Sequence, residues 1–168
     1  MLKFAMIGLV GALAAAASAK AVLTYGHVDA GSDLRPAQVV ADDAATGSAA
    51  QVIKGPDGHY WAEAAVNGKA VHLLVDTGAT AVALTAEDAR RLGFDPKQLD
   101  YSYRVATANG QARAARIKLA SVSVAGAEVQ NVDALVIERG LQTSLLGMTY
   151  LGRLSQFEAT PTSLILRP

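Results

Sequence analysis

Leu73-Leu74-Val75-Asp76-Thr77-Gly78-Ala79-Thr80 delivers one carboxylate from an apolar run into a tight Thr-Gly turn, and a second apolar run, Ala81-Val82-Ala83-Leu84, follows at once. Short apolar runs bounded by turn residues read as buried strands. A strand that stops on Asp and turns on Gly aims its carboxylate out of a sheet instead of leaving it on a solvated face. An Asp-x-Gly turn alone occurs in any β protein; here apolar strands flank it on both sides. Farther along the chain, Ser144-Leu145-Leu146-Gly147 places two apolar residues before another glycine.

The Asp76-Thr77-Gly78-Ala79 segment resembles the active-site motif of aspartic proteases. Ala79 is similar to the retroviral, single-domain branch, whereas bilobed relatives often carry Ser there. Ser144 to Gly147 resembles the family's apolar-apolar-Gly element, which packs behind the catalytic loop. The resemblance runs roughly from Gly58 to the C-terminus. It implies an all-β fold, a single-domain closed acid-protease (retropepsin-like) β-barrel with one or two short helices.

Working outward, His59 to Val66, the Asn67-Gly68 pair and Lys69 to Val75 predict a β-hairpin leading straight into Asp76. Asn-Gly favours such a turn because both residues tolerate φ > 0. Tyr60 and Trp61 are read here as packing residues. Thr85 to Gly93 predicts a short helix, with Thr85 as N-cap, Glu87 and Asp88 in the first turn, Arg90 and Arg91 in the last, and Gly93 as the stop. Its charges read as a solvated face. Tyr101 to Thr107, Asn109-Gly110 and Gln111 to Leu119 predict a second hairpin. Ala120 to Val124, Ala125-Gly126 and Ala127 to Val132 predict a third, and Asp133 to Glu138 a separate strand. Met148 to Leu154 fits a short helix, and strands at Gln156 to Glu158 and Ser163 to Leu166 close the chain.

Before the domain, Met1-Leu2-Lys3 is a basic start, Phe4 to Ala19 is uncharged and mostly apolar, and Ala17-Ser18-Ala19 offers small residues for a signal peptidase. The apolar run is shorter than the roughly 20 residues of a membrane span, yet Ala21-Val22-Leu23 extends it past Lys20. Residues 1–23 therefore read as a signal peptide or an N-terminal membrane anchor. Either way the body is expected in the periplasm, secreted or tethered to the inner membrane. Residues 24–57, rich in Gly, Ser, Ala, Asp and Pro, read as a flexible linker, with a short strand over 49–53 joining the sheet. Residues 58–168 are the expected protease domain.

Fifteen basic and fifteen acidic side chains cancel, so no nucleic-acid or anionic-membrane partner follows from charge. The chain has no Cys, which excludes disulfides, thiolate chemistry and Cys-ligated zinc. His27, His59 and His72 lack paired ligand spacing, so no metal is expected, and no organic cofactor is implied.

What the resemblance implies is peptide hydrolysis by two carboxylates sharing one proton. Aspartic proteases are themselves the standard case of this effect: at roughly 3 Å the like charges cannot both ionise, and one pKa rises. The chain carries a single Asp-Thr-Gly, so the resemblance implies a homodimer with one site on its two-fold axis. In that site Asp76 activates water. Thr77 bonds across the dimer, and Gly78 permits the turn and donates its amide to the carboxylate. Ala79 completes the loop, and Gly147 lets the segment behind approach closely. Thr107, Ala108, Asn109 and Gly110 stand where the family's substrate-covering flap stands, its backbone pairing with an extended peptide. The partners implied are a protein or peptide substrate and a second copy of the chain. The other reading left open is an inactive, dimeric peptide-binding or scaffold domain of the same fold. Asp133 lacks a following Thr/Ser-Gly and is set aside as a second carboxylate.

Overall fold

The computed structural model describes residues 44–107 and 110–168. In chain order these residues form strands β1 (Thr46–Gly47), β2 (Ala50–Ile53), β3 (Trp61–Val66), β4 (Lys69–Val75) and β5 (Val82–Leu84), then helix α1 (Ala86–Leu92). Strands β6 (Tyr103–Thr107), β7 (Gly110–Val124), β8 (Ala127–Ile137) and β9 (Leu145–Leu146) follow, then helix α2 (Met148–Leu151) and strands β10 (Gln156–Ala159) and β11 (Ser163–Arg167). The fold is all-β with two short helices.

Eight strands make the main sheet in the order β1-β8-β5-β9-β4-β3-β7-β6. Because β7 also pairs with β8 over most of its length, the run from β8 to β7 returns on itself. The core lies inside this ring, where Val66, Val71, Leu73, Leu84, Leu119, Val122 and Leu146 are fully enclosed. Each such side chain contributes about 1.5–3 kcal/mol through burial. A second sheet, β10-β11-β2, packs its inward residues Ala50, Val52, Leu164 and Leu166 on the same core.

The first hairpin forms as its turn residues dictate, with Asn67 at φ 49° and Gly68 at φ 78°. Tyr60 packs against the core and donates its hydroxyl to the Thr160 carbonyl at 2.8 Å. Trp61 stacks on the exposed His72, with ring centres 4.9 Å apart. Helix α1 starts on Thr85, whose hydroxyl accepts from the Asp88 amide, and stops on Gly93 at φ 104°.

Three expectations change. The folded body begins before residue 58: Thr46–Gly47 pairs with β8, and the short strand expected over 49–53 forms as Ala50–Ile53 and pairs with β11, because alternating Ala50 and Val52 have a core face to bury. Residues 24–43 of the expected linker and all of segment 1–23 lie outside the described residues. Second, what read as two hairpin arms, 111–119 and 120–124, lies in the single strand β7, and the segments read as 127–132 and 133–138 merge into one strand, β8, which ends at Ile137. The alternation of buried positions slips from Leu119 to Val122 and from Val129 to Val132. The slip coincides with Asn131 at φ 52°. A change of phase reads in sequence as an end, but pairing holds the same register on both sides of it. Third, the predicted helix over 148–154 is regular only over Met148–Leu151.

Candidate active site

Strand β4 runs inside the sheet and its backbone leaves it at Asp76. The Asp76 amide donates to the Leu146 carbonyl at 3.1 Å, and the Ala79 amide donates back to the Asp76 carbonyl at 3.2 Å, closing a tight turn. The half-buried carboxylate accepts the Gly78 amide on Oδ1 at 2.8 Å. Gly78 does not adopt positive φ; a Cβ there would press on Asp76 Oδ1 at 3.1 Å. Thr77 is exposed, and its hydroxyl has no hydrogen-bond partner among the described residues.

The turn is clasped from behind. Strand β9 is wedged between β4, which it meets in parallel, and β5, which it meets antiparallel. Just beyond it, the Met148 amide donates to the Ala79 carbonyl and the Val82 amide donates to Thr149 Oγ1, both at 2.9 Å. Gly147 sits where the two segments touch: a Cβ would lie 2.2 Å from the Ala81 carbonyl oxygen and 2.7 Å from that of Ala79. Its φ is −99°, so close approach, not a left-handed backbone, demands the glycine.

Asp76 opens onto a groove of about 950 Å³. Gly78, Ala79 and Thr80 line it beside the carboxylate; Val105, Ala106 and Thr107 of β6 form one wall, and Leu135, Ile137 and Leu141 form another. Asp76 is the one ionisable side chain among the described lining residues. The structure thus brings Asp76, Gly78, Ala79 and Thr107 to one cavity, with Gly147 behind it. Gly110 opens β7 at φ 103° and pairs with Thr107, whose hydroxyl donates to the Gly110 carbonyl at 2.8 Å. Gly110 is the first residue of β7 and has the positive φ that the predicted Asn109-Gly110 turn requires. Ala108 and Asn109 lie outside the described residues. Asp133 is exposed on β8, 3.8 Å from Lys118 Nζ, and does not line the groove. Among the described residues no group of three or more His, Asp or Glu is placed to hold a metal ion.

One carboxylate was misread from sequence. Asp88 does not belong to a solvated helix face; it is buried. Its Oδ2 accepts the Ser144 hydroxyl at 2.5 Å and the Thr85 hydroxyl at 3.0 Å, and its Oδ1 accepts Arg91. Burial by itself raises its pKa, but the hydrogen bonds from Ser144, Arg91 and Thr85 and the Arg91 charge outweigh it and hold the carboxyl below its ordinary value. The partner Ser144 is 56 residues away, so the local pattern of charges on α1 carries no signal of the network.

Residues 62–153 match a family described as gag-polyprotein putative aspartyl protease. The chain is 40% identical to a retropepsin-like aspartic protease from Rickettsia conorii of known crystal structure. The superposition has a TM-score of 0.66 and covers 72% of this chain and 100% of that one. It is also 42% identical over 112 residues to an uncharacterised protein encoded in the cobV 5′ region of a Sinorhizobium species, covering 66% of this chain and 48% of that protein. An uncharacterised protein of Rickettsia prowazekii is 44% identical over 115 residues, covering 68% of this chain and 49% of the relative. The chain thus spans about half the length of the curated relatives it matches.

Proposed function

We propose, from the premise that this chain belongs to the gag-polyprotein aspartyl protease family and has the retropepsin-like fold, that it is an aspartic endopeptidase whose site is completed by a second copy of itself. The observation that carries this reading is the groove: it holds one clasped carboxylate, Asp76, and no other ionisable side chain among its described lining residues. Acid–base hydrolysis of an amide needs a base and an acid. A two-fold dimer supplies both from the same residue, one ionised and one protonated, because two adjacent carboxylates share a proton.

In this mechanism the ionised Asp76 removes a proton from water while the oxygen attacks the peptide carbonyl. The protonated Asp76 of the second copy gives its proton to the carbonyl oxygen. The tetrahedral intermediate then collapses, the carbon–nitrogen bond breaks, and the leaving amine takes up a proton. Gly78 fixes one carboxylate oxygen through its amide. The exposed Thr77 hydroxyl, free of partners among the described residues, is available to bond the facing loop. An extended peptide lies in the apolar groove beneath the β6–β7 hairpin and adds its backbone to the hairpin's. The body is exported, as the N-terminal segment suggests; N-terminal sequencing starting at Lys20 distinguishes a cleaved signal from an anchor.

The test is turnover of a quenched-fluorescence peptide library by purified protein and by Asp76→Asn. The amide nearly matches the carboxylate in size but cannot act as base, so turnover falls by about 10²–10⁴-fold with the fold intact. Wild-type protein that binds the peptides without cleaving them identifies a scaffold domain instead.

A further inference from the structure

Strand β9 is two residues long, yet it carries the catalytic turn. The Ser144 carbonyl just before it accepts the Leu74 amide at 2.9 Å, and the Leu146 carbonyl at its end accepts the Asp76 amide at 3.1 Å. These two bonds bracket the last stretch of β4 and set where Asp76 leaves the sheet. A strand this short has few bonds of its own to fix its position, so what anchors its start matters. The anchor is the Ser144 side chain, which is almost wholly enclosed. Its hydroxyl accepts the Thr85 amide at 3.0 Å and donates to Asp88 Oδ2 at 2.5 Å. Asp88 is in turn held by the Thr85 hydroxyl and by Arg91. A path of hydrogen bonds therefore runs from a buried carboxylate on α1, through one serine and the short strand that follows it, to the Leu74 and Asp76 amides.

We propose that Asp88 and Ser144 are positioning residues for the Asp76 turn, acting through β9 and touching neither water nor peptide in the groove. The proposal rests on the protease reading for its kinetic consequence only. Its structural consequence, tighter closure of the Leu74 and Asp76 amides, holds for the fold whether or not the protein cleaves peptides. Neither residue lines the 950 Å³ groove, although Thr143, next to Ser144, does. Their loss therefore shifts the carboxylate more than it alters peptide binding.

The experiment compares wild type, Ser144→Ala and Asp88→Asn by amide hydrogen exchange and by turnover of the same peptide library. Ser144→Ala removes one oxygen; Asp88→Asn keeps the shape and removes the charge, and stands in if the first variant does not fold. In each variant the Leu74 and Asp76 amides exchange roughly tenfold faster, while Val122 and Val129 in the β7–β8 ladder keep their protection. Turnover per folded molecule falls about tenfold in kcat with KM within about twofold, as expected when reacting groups are misplaced and binding is spared. The double variant is little worse than either single one, because both act through one path. Unchanged exchange at Leu74 and Asp76, or a lost kcat in which the two substitutions multiply, overturns the proposal. If wild type cleaves nothing but the two amides still open selectively in the variants, the clamp stands and the protease reading falls.

Discussion

Asp76 and Asp88 are both tied to the same short strand, and their surroundings are opposite. The Asp76 carboxylate receives one hydrogen bond among the described residues, from the Gly78 amide, and otherwise faces an open apolar groove. Asp88 is enclosed, and its oxygens accept from Ser144, Thr85 and Arg91. A carboxylate with both oxygens engaged by fixed donors has little left to offer a substrate. One with a free oxygen in a cavity does. On the proposed mechanism, the supply of donors separates the supporting acid from the reacting one.

The comparison breaks most violently at Gly147, where the Asp76 turn and the segment behind it touch. Gly147→Ala drives a methyl group to within 2.2 Å of the Ala81 carbonyl oxygen. That overpacking costs about 3 kcal/mol and lowers the thermal midpoint by roughly 10 °C, and peptide turnover is lost with it. Calorimetry and turnover on the same sample check both. A variant as stable and active as wild type would mean the clasp does not constrain the turn.

A smaller effect sharpens the Asp88 side. Its folded pKa lies below the ordinary value of 3.8, so its stabilising contribution is complete above that value and fades as pH falls through the folded pKa. Asp88→Asn therefore lowers the unfolding free energy by about 2 kcal/mol at pH 6, the scale of hydrogen bonds to a charged group. The gap to wild type narrows below pH 3.8. Denaturant melts from pH 6 to pH 2 measure it. A gap that widens on acidification would contradict the assigned direction.

The same contrast explains what could be read from sequence. Asp76 was legible because its signal is local: an apolar run, Asp-Thr-Gly, and a second apolar run, all within a dozen residues. The Asn67-Gly68 and Ala125-Gly126 turns and the capped helix α1 were legible for the same reason. Asp88 was not, because its burial depends on a serine that only tertiary packing brings to it. The length of β7 and β8 was hidden by a phase slip in their buried positions that the ladder tolerates. Strand β2 was legible as a short strand over 49–53, although its pairing partner, β11, lies at the far end of the chain.

The central claim is that one reactive carboxylate per chain becomes a pair by dimerisation. Mixing wild-type protein with Asp76→Asn at equal amounts, after subunits have exchanged, tests it directly. With random pairing only about one dimer in four keeps both carboxylates, so activity settles near a quarter of that of an equal total amount of wild type. Activity at one half, with random exchange verified, would mean that each chain works alone and that Asp76 does not share its site with a second copy.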